Sequence, residues 1–518
     1  MKKCWVVVAL ILLLLSCFIG FFRNELAFIS ITGAGYASKN ACSIIFVGER
    51  DLQSAIEAEF NFPPISIIFN FVIDEENKCV TATSLLGYEK KACYRSKELG
   101  CSIVYDEKLI SESVEKNLYI PAFHIENVIT TVPFEELKDI EWPAGYKIDE
   151  VLVEKAKSGI NFSQLDKLVN EHFENKDYNA RAFIVVKDGQ IIYEKYGNNF
   201  NEHSKLLGWS MSKSVLASLI NIRIKEGYMS LDDGIHYPWY NSANDERVSS
   251  VTVRALLQMI DGLDFEEDYL PWSDVPKMLY TEPSSAHFVG KRSLRKDPAS
   301  KVNTCFRYSS GSTNILSFAL RMSFDKQYPD NPQKGYEEYL RYPFEQFFNP
   351  LGMSSTVFEV DPVGTYIGSS YAWATARDWA KFGLLYLNNG KYFNRQLNAT
   401  SNMFADGWID FVRGSTFSSK NLYGGQFWIG GNNQQITEEE LKYSDMCDEL
   451  YPSRLFPKRD HWRMLPENSY FAHGFEEQMT LLSPDHNVVL IRLGCTSEIL
   501  SWDKGGFYKS IMDLFPKY

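Results

Sequence analysis

No H-E-x-x-H, no His-x-His pair and no G-x-S-x-G elbow occurs in this sequence. The first two absences, in a chain with eight histidines, exclude the common zinc-hydrolase ligand sets. The third excludes the nucleophile turn of the α/β-hydrolases. An excess of basic charge is also lacking: 53 Lys and Arg against 66 Asp and Glu leave a net charge of −13. Phosphate binding needs clustered cations, so no nucleic-acid partner is expected. Internal repeats and low-complexity tracts are missing as well. No metal and no organic cofactor is expected.

What is present is the composition of a folded protein, 45% hydrophobic and 14% aromatic, in 518 residues. That length is too great for one ordinary core and implies two or more structural units. Lys2 and Lys3 precede an uncharged run from Trp5 to Phe22, closed by Arg23. Its 18 residues just reach the minimum for a membrane-spanning helix and show no polar face. Residues 1–25 are therefore expected to form a single-pass membrane anchor, with a cleaved signal peptide as the rival reading. Either places the remainder on the extracytoplasmic side. Beyond the leader, seven cysteines leave at least one outside any disulfide. Cys42, Cys79, Cys93 and Cys101 cluster, and one or two disulfides among them have three possible pairings. Cys495, in V-V-L-I-R-L-G-C, reads as a core residue.

Short apolar stretches between charged turns (S-I-I-F-V, I-S-I-I-F-N-F-V-I, C-V-T-A-T-S-L-L-G-Y) make residues 36–105 a small β-rich N-terminal region. Residues 106–160 read as a connecting arm. A new unit, 162–518, opens with the helical spacing of F-S-Q-L-D-K-L-V-N-E-H-F, with Ser163 as its N-cap. A hairpin follows, turning at Asp188-Gly189. The chain closes with a second hairpin-like stretch, M-T-L-L-S-P-D-H-N-V-V-L-I-R-L, and a helix at 503–514. Strands at both ends and helical sequence between them predict a mixed α/β (α+β) unit, one sheet completed by the two ends around a helical subdomain.

Within this unit, L-G-W-S-M-S-K-S-V-L at 207–216 raises a choice: Ser210 as nucleophile or as helix cap. The Ser-x-x-Lys spacing also occurs at Ser113/Lys116, Ser293/Lys296, Ser323/Lys326 and Ser501/Lys504, so spacing decides nothing. Position does. Ser210 follows a Gly208-Trp209 break and opens an apolar helix running to Gly227, where free N–H groups and the helix dipole favour negative charge. Lys213 lies one turn on, on the same face. A lysine at the dry end of such a helix is costly unless used, and desolvation drives its amine toward a base.

Two further stretches complete a pattern: F-R-Y-S-S-G-S-T-N-I-L at 306–316 and F-A-H-G-F-E-E-Q-M-T-L-L at 471–482. Ser-x-x-Lys, Tyr-x-Ser and a His-Gly strand, in that order, resemble the serine β-lactamase/penicillin-binding-protein superfamily. The likeness is greatest to class C β-lactamases, related esterases and 6-aminohexanoate-dimer hydrolases. L-L-Q-M-I-D-G-L-D-F, P-L-G-M and W-A-T-A-R-D-W-A-K-F-G-L-L-Y support it. The resemblance spans 162–518 and implies a β-lactamase/transpeptidase-like fold. It also implies an acyl-enzyme on Ser210, with Lys213 and Tyr308 as its acid–base partners. The Ser210 N–H and one N–H from 474–478 would form an oxyanion hole. Ser310, His473 and Gly474 would face substrate, His473 as a site for a carboxylate. Relatives often carry Asn where Ser310 stands, and Pro-Gly where Asn303-Thr304 stands. No Lys-Thr-Gly and no Ser-Asp-Asn occurs, which sets the chain apart from class A β-lactamases and ordinary transpeptidases. The expected function is a membrane-anchored, exported serine hydrolase of a small amide or ester. Its rivals are a D-Ala carboxypeptidase or β-lactamase, and a non-catalytic protein retaining the fold.

Overall fold

The computed structural model describes residues 23–60, 68–114, 118–123, 128–235, 250–295, 302–431, 437–450, 460–497 and 502–518. The run Trp5–Phe22 lies outside them. Among the described residues no helix is long and apolar enough to cross a membrane.

The described chain opens on a helix, α1 (Arg23–Phe46), that buries small residues, Ala34, Ala37, Ala41 and Cys42. They let it lie close against an antiparallel meander, β1 (Phe69–Asp74), β2 (Cys79–Ser84), β3 (Glu89–Ser96) and β4 (Gly100–Ile103). The expectation of strands from residue 36 is corrected here: S-I-I-F-V is the last turn of α1 and its exit. An apolar run this short has the same pattern in a buried helix as in a strand. Of the three possible pairings, Cys42–Cys101 joins α1 to β4 and Cys79–Cys93 crosslinks β2 and β3.

One buried carboxylate gathers several of the bonds that hold this N-terminal region to the rest of the protein. Glu359, fully buried, accepts from Lys39 Nζ at 2.6 Å, Ser43 Oγ at 2.8 Å, the Cys101 N–H at 2.8 Å and Trp373 Nε1 at 3.2 Å. The Lys39 ammonium also lies over the Tyr371 ring, 3.9 Å from its centroid. Burial lowers the Lys39 pKa, and Glu359 opposes that shift. Among its described residues, the arm that follows holds short helical turns, Glu107–Glu112, Phe134–Leu137 and Glu150–Ala156.

The main unit starts with α2 (Phe162–Glu174), which buries Leu165, Val169 and His172 along one stripe. Its N-cap is Asn161, whose side chain accepts from Gln164 N at 3.1 Å, so Ser163 lies inside the helix rather than capping it. β5 (Ala180–Lys187) and β6 (Gln190–Tyr196) then form the expected hairpin. Asp188 and Gly189 both adopt positive φ, 51° and 80°, the geometry of the tightest hairpin turn. Next come β7 (Leu206–Leu207), α3 (Met211–Lys225), α4 (Ser310–Gln327), β8 (Val357–Phe358), β9 (Ala372–Ala374) and α5 (Ala376–Leu387). β10 (Lys391–Asn394) and β11 (Ala399–Asn402) pair only with each other. β12 (Trp428–Ile429), β13 (Tyr470–Gly474), β14 (Gln478–Ser483), β15 (Val488–Gly494) and α6 (Lys504–Met512) close the chain.

The central sheet is antiparallel, in the order β12-β13-β14-β15-β5-β6, so the two ends of the unit meet at its centre. Alternation along the strands sorts their side chains onto two faces. Val489, Ile491 and Ile184 pack with Leu216 and Leu219 of α3 and Leu384 of α5. Val488, Leu490, Phe183 and Val185 pack with Val169 of α2 and with Tyr508 and Ile511 of α6. The segment between β6 and β12 is largely helical, as the sequence predicts. A third disulfide, Cys305–Cys447, was not anticipated because its partners lie 142 residues apart.

Glu359→Ala would strand the Lys39 charge in the interior. It is expected to cost about 3–5 kcal/mol, read by denaturant unfolding with the disulfides intact. The double variant Lys39→Met/Glu359→Leu should recover most of that loss. A single-variant cost below about 1 kcal/mol, that of an exposed pair, would show that Glu359 does not hold the two parts together.

Candidate active site

Two neighbouring backbones and one indole ring shape the turn that presents Ser210. Gly208 N donates to Ala372 O at 2.8 Å, bracing the turn on β9. A Cβ on Gly208 would sit 2.3 Å from the Trp379 ring, and one on Gly474 would sit 2.2 Å from Gly208 O. Both positions therefore require glycine. Trp209 adopts φ +45°, a left-handed conformation costly for a bulky residue. Its indole holds it there: Nε1 donates to Glu476 Oε2 at 3.1 Å, and its ring packs against Tyr371 and Phe475. Burial pushes the Glu476 carboxyl up to about 7, opposed by Arg181.

Ser210 occupies the cap position of α3, yet its side chain makes no capping hydrogen bond. Its Oγ instead accepts from Lys213 Nζ at 2.9 Å. Lys213 is 1% exposed, on a helix buried from Met211 through Arg223. The amine also donates to Ser310 Oγ at 3.0 Å and to Ser369 O at 2.9 Å. It lies 4.9 Å from the centroid of the Tyr308 ring, which stacks on Trp428. Burial pulls the Lys213 pKa down to about 8, against the raising effect of Glu267.

The structure thus brings Ser210, Lys213, Tyr308 and Ser310 into one cluster, with Gly474 packed on the turn beside it. Ser310 is buried and bridges Lys213 and Glu267. His473 lies on the sheet face of Phe471 and Met479, whose cluster also holds Tyr308 and Trp428. Strand alternation turns it there, and Glu477 Oε2 at 3.5 Å and the Trp462 ring engage it. The 474–478 stretch is also not continuous strand. Phe475–Glu477 form a turn, with Glu476 and Glu477 at positive φ, between β13 and β14.

Sequence reasoning missed Glu267. Its Oε1 accepts from Ser310 Oγ at 2.7 Å and its Oε2 from Ser310 N at 2.6 Å, at the N-terminus of α4. Burial raises its pKa, opposed by Lys213 and the Ser310 hydrogen bonds. The stretch L-D-F-E-E-D-Y offers four carboxylates, which pattern alone assigns to a solvated loop.

A serine held by a desolvated lysine at the start of a buried helix, beside a tyrosine on a second helix mouth, is the arrangement of an acyl-transferring serine hydrolase. The Beta-lactamase family model matches residues 165–494, well over half of the chain, and the chain belongs to that family. The family consists of serine hydrolases that act through an acyl-enzyme on small amides or esters such as β-lactams. Among solved structures, a class C β-lactamase in complex with cefoxitin shares 13% identity over 71% of this chain and 99% of its own, TM-score 0.44. The penicillin binding protein from Bacillus halodurans shares 13% over 68% and 100%, TM-score 0.42. EstCE1, a hydrolase with promiscuous acyltransferase activity, shares 11% over 70% and 99%, TM-score 0.47. At these values the likenesses carry no argument, and membership rests on the family match. No curated protein matches the chain.

The Lys213 ionisation predicts a pH-dependent stability term. Its folded pKa, about 8, lies below the ordinary lysine value of 10.5. Between those values the unfolded chain binds the extra proton, so this term stabilises the fold as pH rises. The stability difference between wild type and Lys213→Met should therefore move in favour of wild type from about pH 8 to 10.5. Unfolding midpoints across that range check it, and a constant difference contradicts a desolvated amine.

Proposed function

We propose that the protein is an exported, membrane-anchored serine hydrolase that cleaves a small amide or ester through an acyl-enzyme on Ser210. One observation carries the reading: the hydroxyl of the cap-position serine accepts from Lys213 Nζ, 2.9 Å away, and caps no backbone N–H of its helix. In this mechanism Ser210 Oγ attacks the carbonyl carbon while its proton passes to the Lys213/Tyr308 pair. The oxyanion forms at the N-terminus of α3, where the Ser210 N–H and an N–H of the adjoining 474–478 segment are the donors. Tyr308, backed by the Lys213 amine, returns a proton to the leaving nitrogen or oxygen. Water, deprotonated by the same pair, then attacks the acyl ester and frees Ser210.

The absence of Lys-Thr-Gly, and Ser310 in place of Asn, favour compact esters and linear amides over β-lactams. A β-lactam keeps its leaving amine tethered in the space that the deacylating water needs. Export is supported by three disulfides, which suit an oxidising compartment. The anchor reading rests on the run Trp5–Phe22.

Short-chain p-nitrophenyl esters should turn over, and Ser210→Ala should lose at least about a thousandfold with its thermal unfolding intact. Tyr308→Phe should lose about 10²–10⁴-fold. Rapid nitrocefin turnover without esterase activity, or an active Ser210→Ala, would overturn the reading. For the leader, full-length protein should fractionate with membranes and keep its N-terminus. A mature chain beginning after residue 17 would mark a cleaved signal instead.

A further inference from the structure

Lys213 must do two opposed things. It must hold its proton while the site is empty and point its amine at Ser210, and it must do so with almost no contact with water. Three acceptors surround the amine: Ser210 Oγ, Ser310 Oγ and Ser369 O. Ser369 O is a carbonyl and can only accept. Ser310 is a hydroxyl and, once the amine is neutral, could donate to it and so turn its lone pair away from Ser210. Glu267 removes that choice. Its Oε1 takes the Ser310 hydroxyl proton at 2.7 Å, while its Oε2 takes the Ser310 N–H at 2.6 Å and fixes the carboxylate plane. Ser310 Oγ then has only lone pairs left for Lys213.

The titratable groups facing this amine are few. Glu267 comes from the loop after Leu263. The Tyr308 phenol lies with its ring centroid 4.9 Å from Nζ, and Tyr423 packs edge-on behind it. Asp261 also lies under the α4 N-terminus, but Ser312 Oγ occupies it at 2.7 Å. Glu267 is therefore the carboxylate that answers the Lys213 charge, joined to it through a single hydroxyl.

We propose that Glu267 is a positioning residue of this site. Through the Ser310 hydroxyl it directs Lys213 Nζ at Ser210, and its negative charge sets how tightly that amine holds its proton. The inference rests on the Ser210 acyl-enzyme reading above. No bond to substrate is made by Glu267, and no proton leaves the Ser210–Lys213–Ser310–Glu267 chain in its resting state.

The test uses the full chain and the rate at which a fluorophosphonate probe labels Ser210, measured from pH 5 to pH 10. Wild-type labelling should rise as Lys213 loses its proton. Removing an opposite charge at this range favours the neutral amine, so Glu267→Gln should move the midpoint down by about one unit or more, with labelling about tenfold slower at the plateau. Glu267→Asp keeps the charge and should hold the midpoint within about half a unit of wild type, whatever its rate. An unmoved midpoint in Glu267→Gln, or an equal shift in Glu267→Asp, overturns the proposal. If Glu267→Gln does not fold, Glu267→Asp and Ser310→Ala decide. Ser310→Ala should slow labelling with a smaller shift than one unit, because the charge stays while the bridge is lost. A rate equal to wild type in that variant overturns the proposal as well. Failure of wild-type protein to label, or labelling that survives Ser210→Ala, would instead remove the acyl-enzyme reading itself.

Discussion

The site depends on keeping one lysine amine dry. Lys213 lies a single turn into a helix that is buried from Met211 to Arg223, so it cannot reach water by rotating its side chain. Every feature around it answers that cost. Ser210, Ser310 and the Ser369 carbonyl accept its hydrogen bonds, Glu267 supplies the opposing charge through Ser310, and the Tyr308 ring covers a further side. An unpaired ammonium in such a place would cost several kcal/mol. The network lets the amine exist there and keeps its proton exchangeable.

The same logic recurs at the join between the N-terminal region and the main unit. Glu359 is fully buried and accepts from Lys39, Ser43, Cys101 N and Trp373. Lys39 lies over Tyr371, whose ring touches Trp209, the residue immediately before Ser210. The α1 helix therefore stands two side chains from the nucleophile turn. Removing the N-terminal region would expose Glu359 and Tyr371 together, which makes the two parts one structural unit.

Much of the architecture could be read from local pattern. The Asp188-Gly189 hairpin, the 3.6-residue stripe of α2, the closing hairpin and the terminal helix each carry their signal within about fifteen residues. The S-I-I-F-V turn of α1 could not be read in this way, because a short buried apolar run has no period that separates helix from strand. The Asn161 cap was displaced by two residues, since Asn161 and Ser163 offer the same hydrogen-bond chemistry. Cys305–Cys447 was invisible for a different reason: its loop of 142 residues leaves no local trace.

For the site, the sequence by itself determined which residues open their helices: Ser210 and Lys213 on α3, Ser310 at the start of α4, and Tyr308 just before it. Helix geometry alone puts Ser210 and Lys213 on one face, so that pair needs no tertiary information. Only the tertiary structure decided what meets them. Strand alternation puts His473 on the face of Phe471 and Met479, where Glu477 and Trp462 engage it, and a one-residue difference in register would reverse that. Glu267 is chosen from among four carboxylates because the loop after Leu263 folds its side chain under the N–H groups of α4, where a negative charge is stabilised. Charge and helix position are local properties. Which acid is desolvated against which amine depends on the packing of segments more than fifty residues apart.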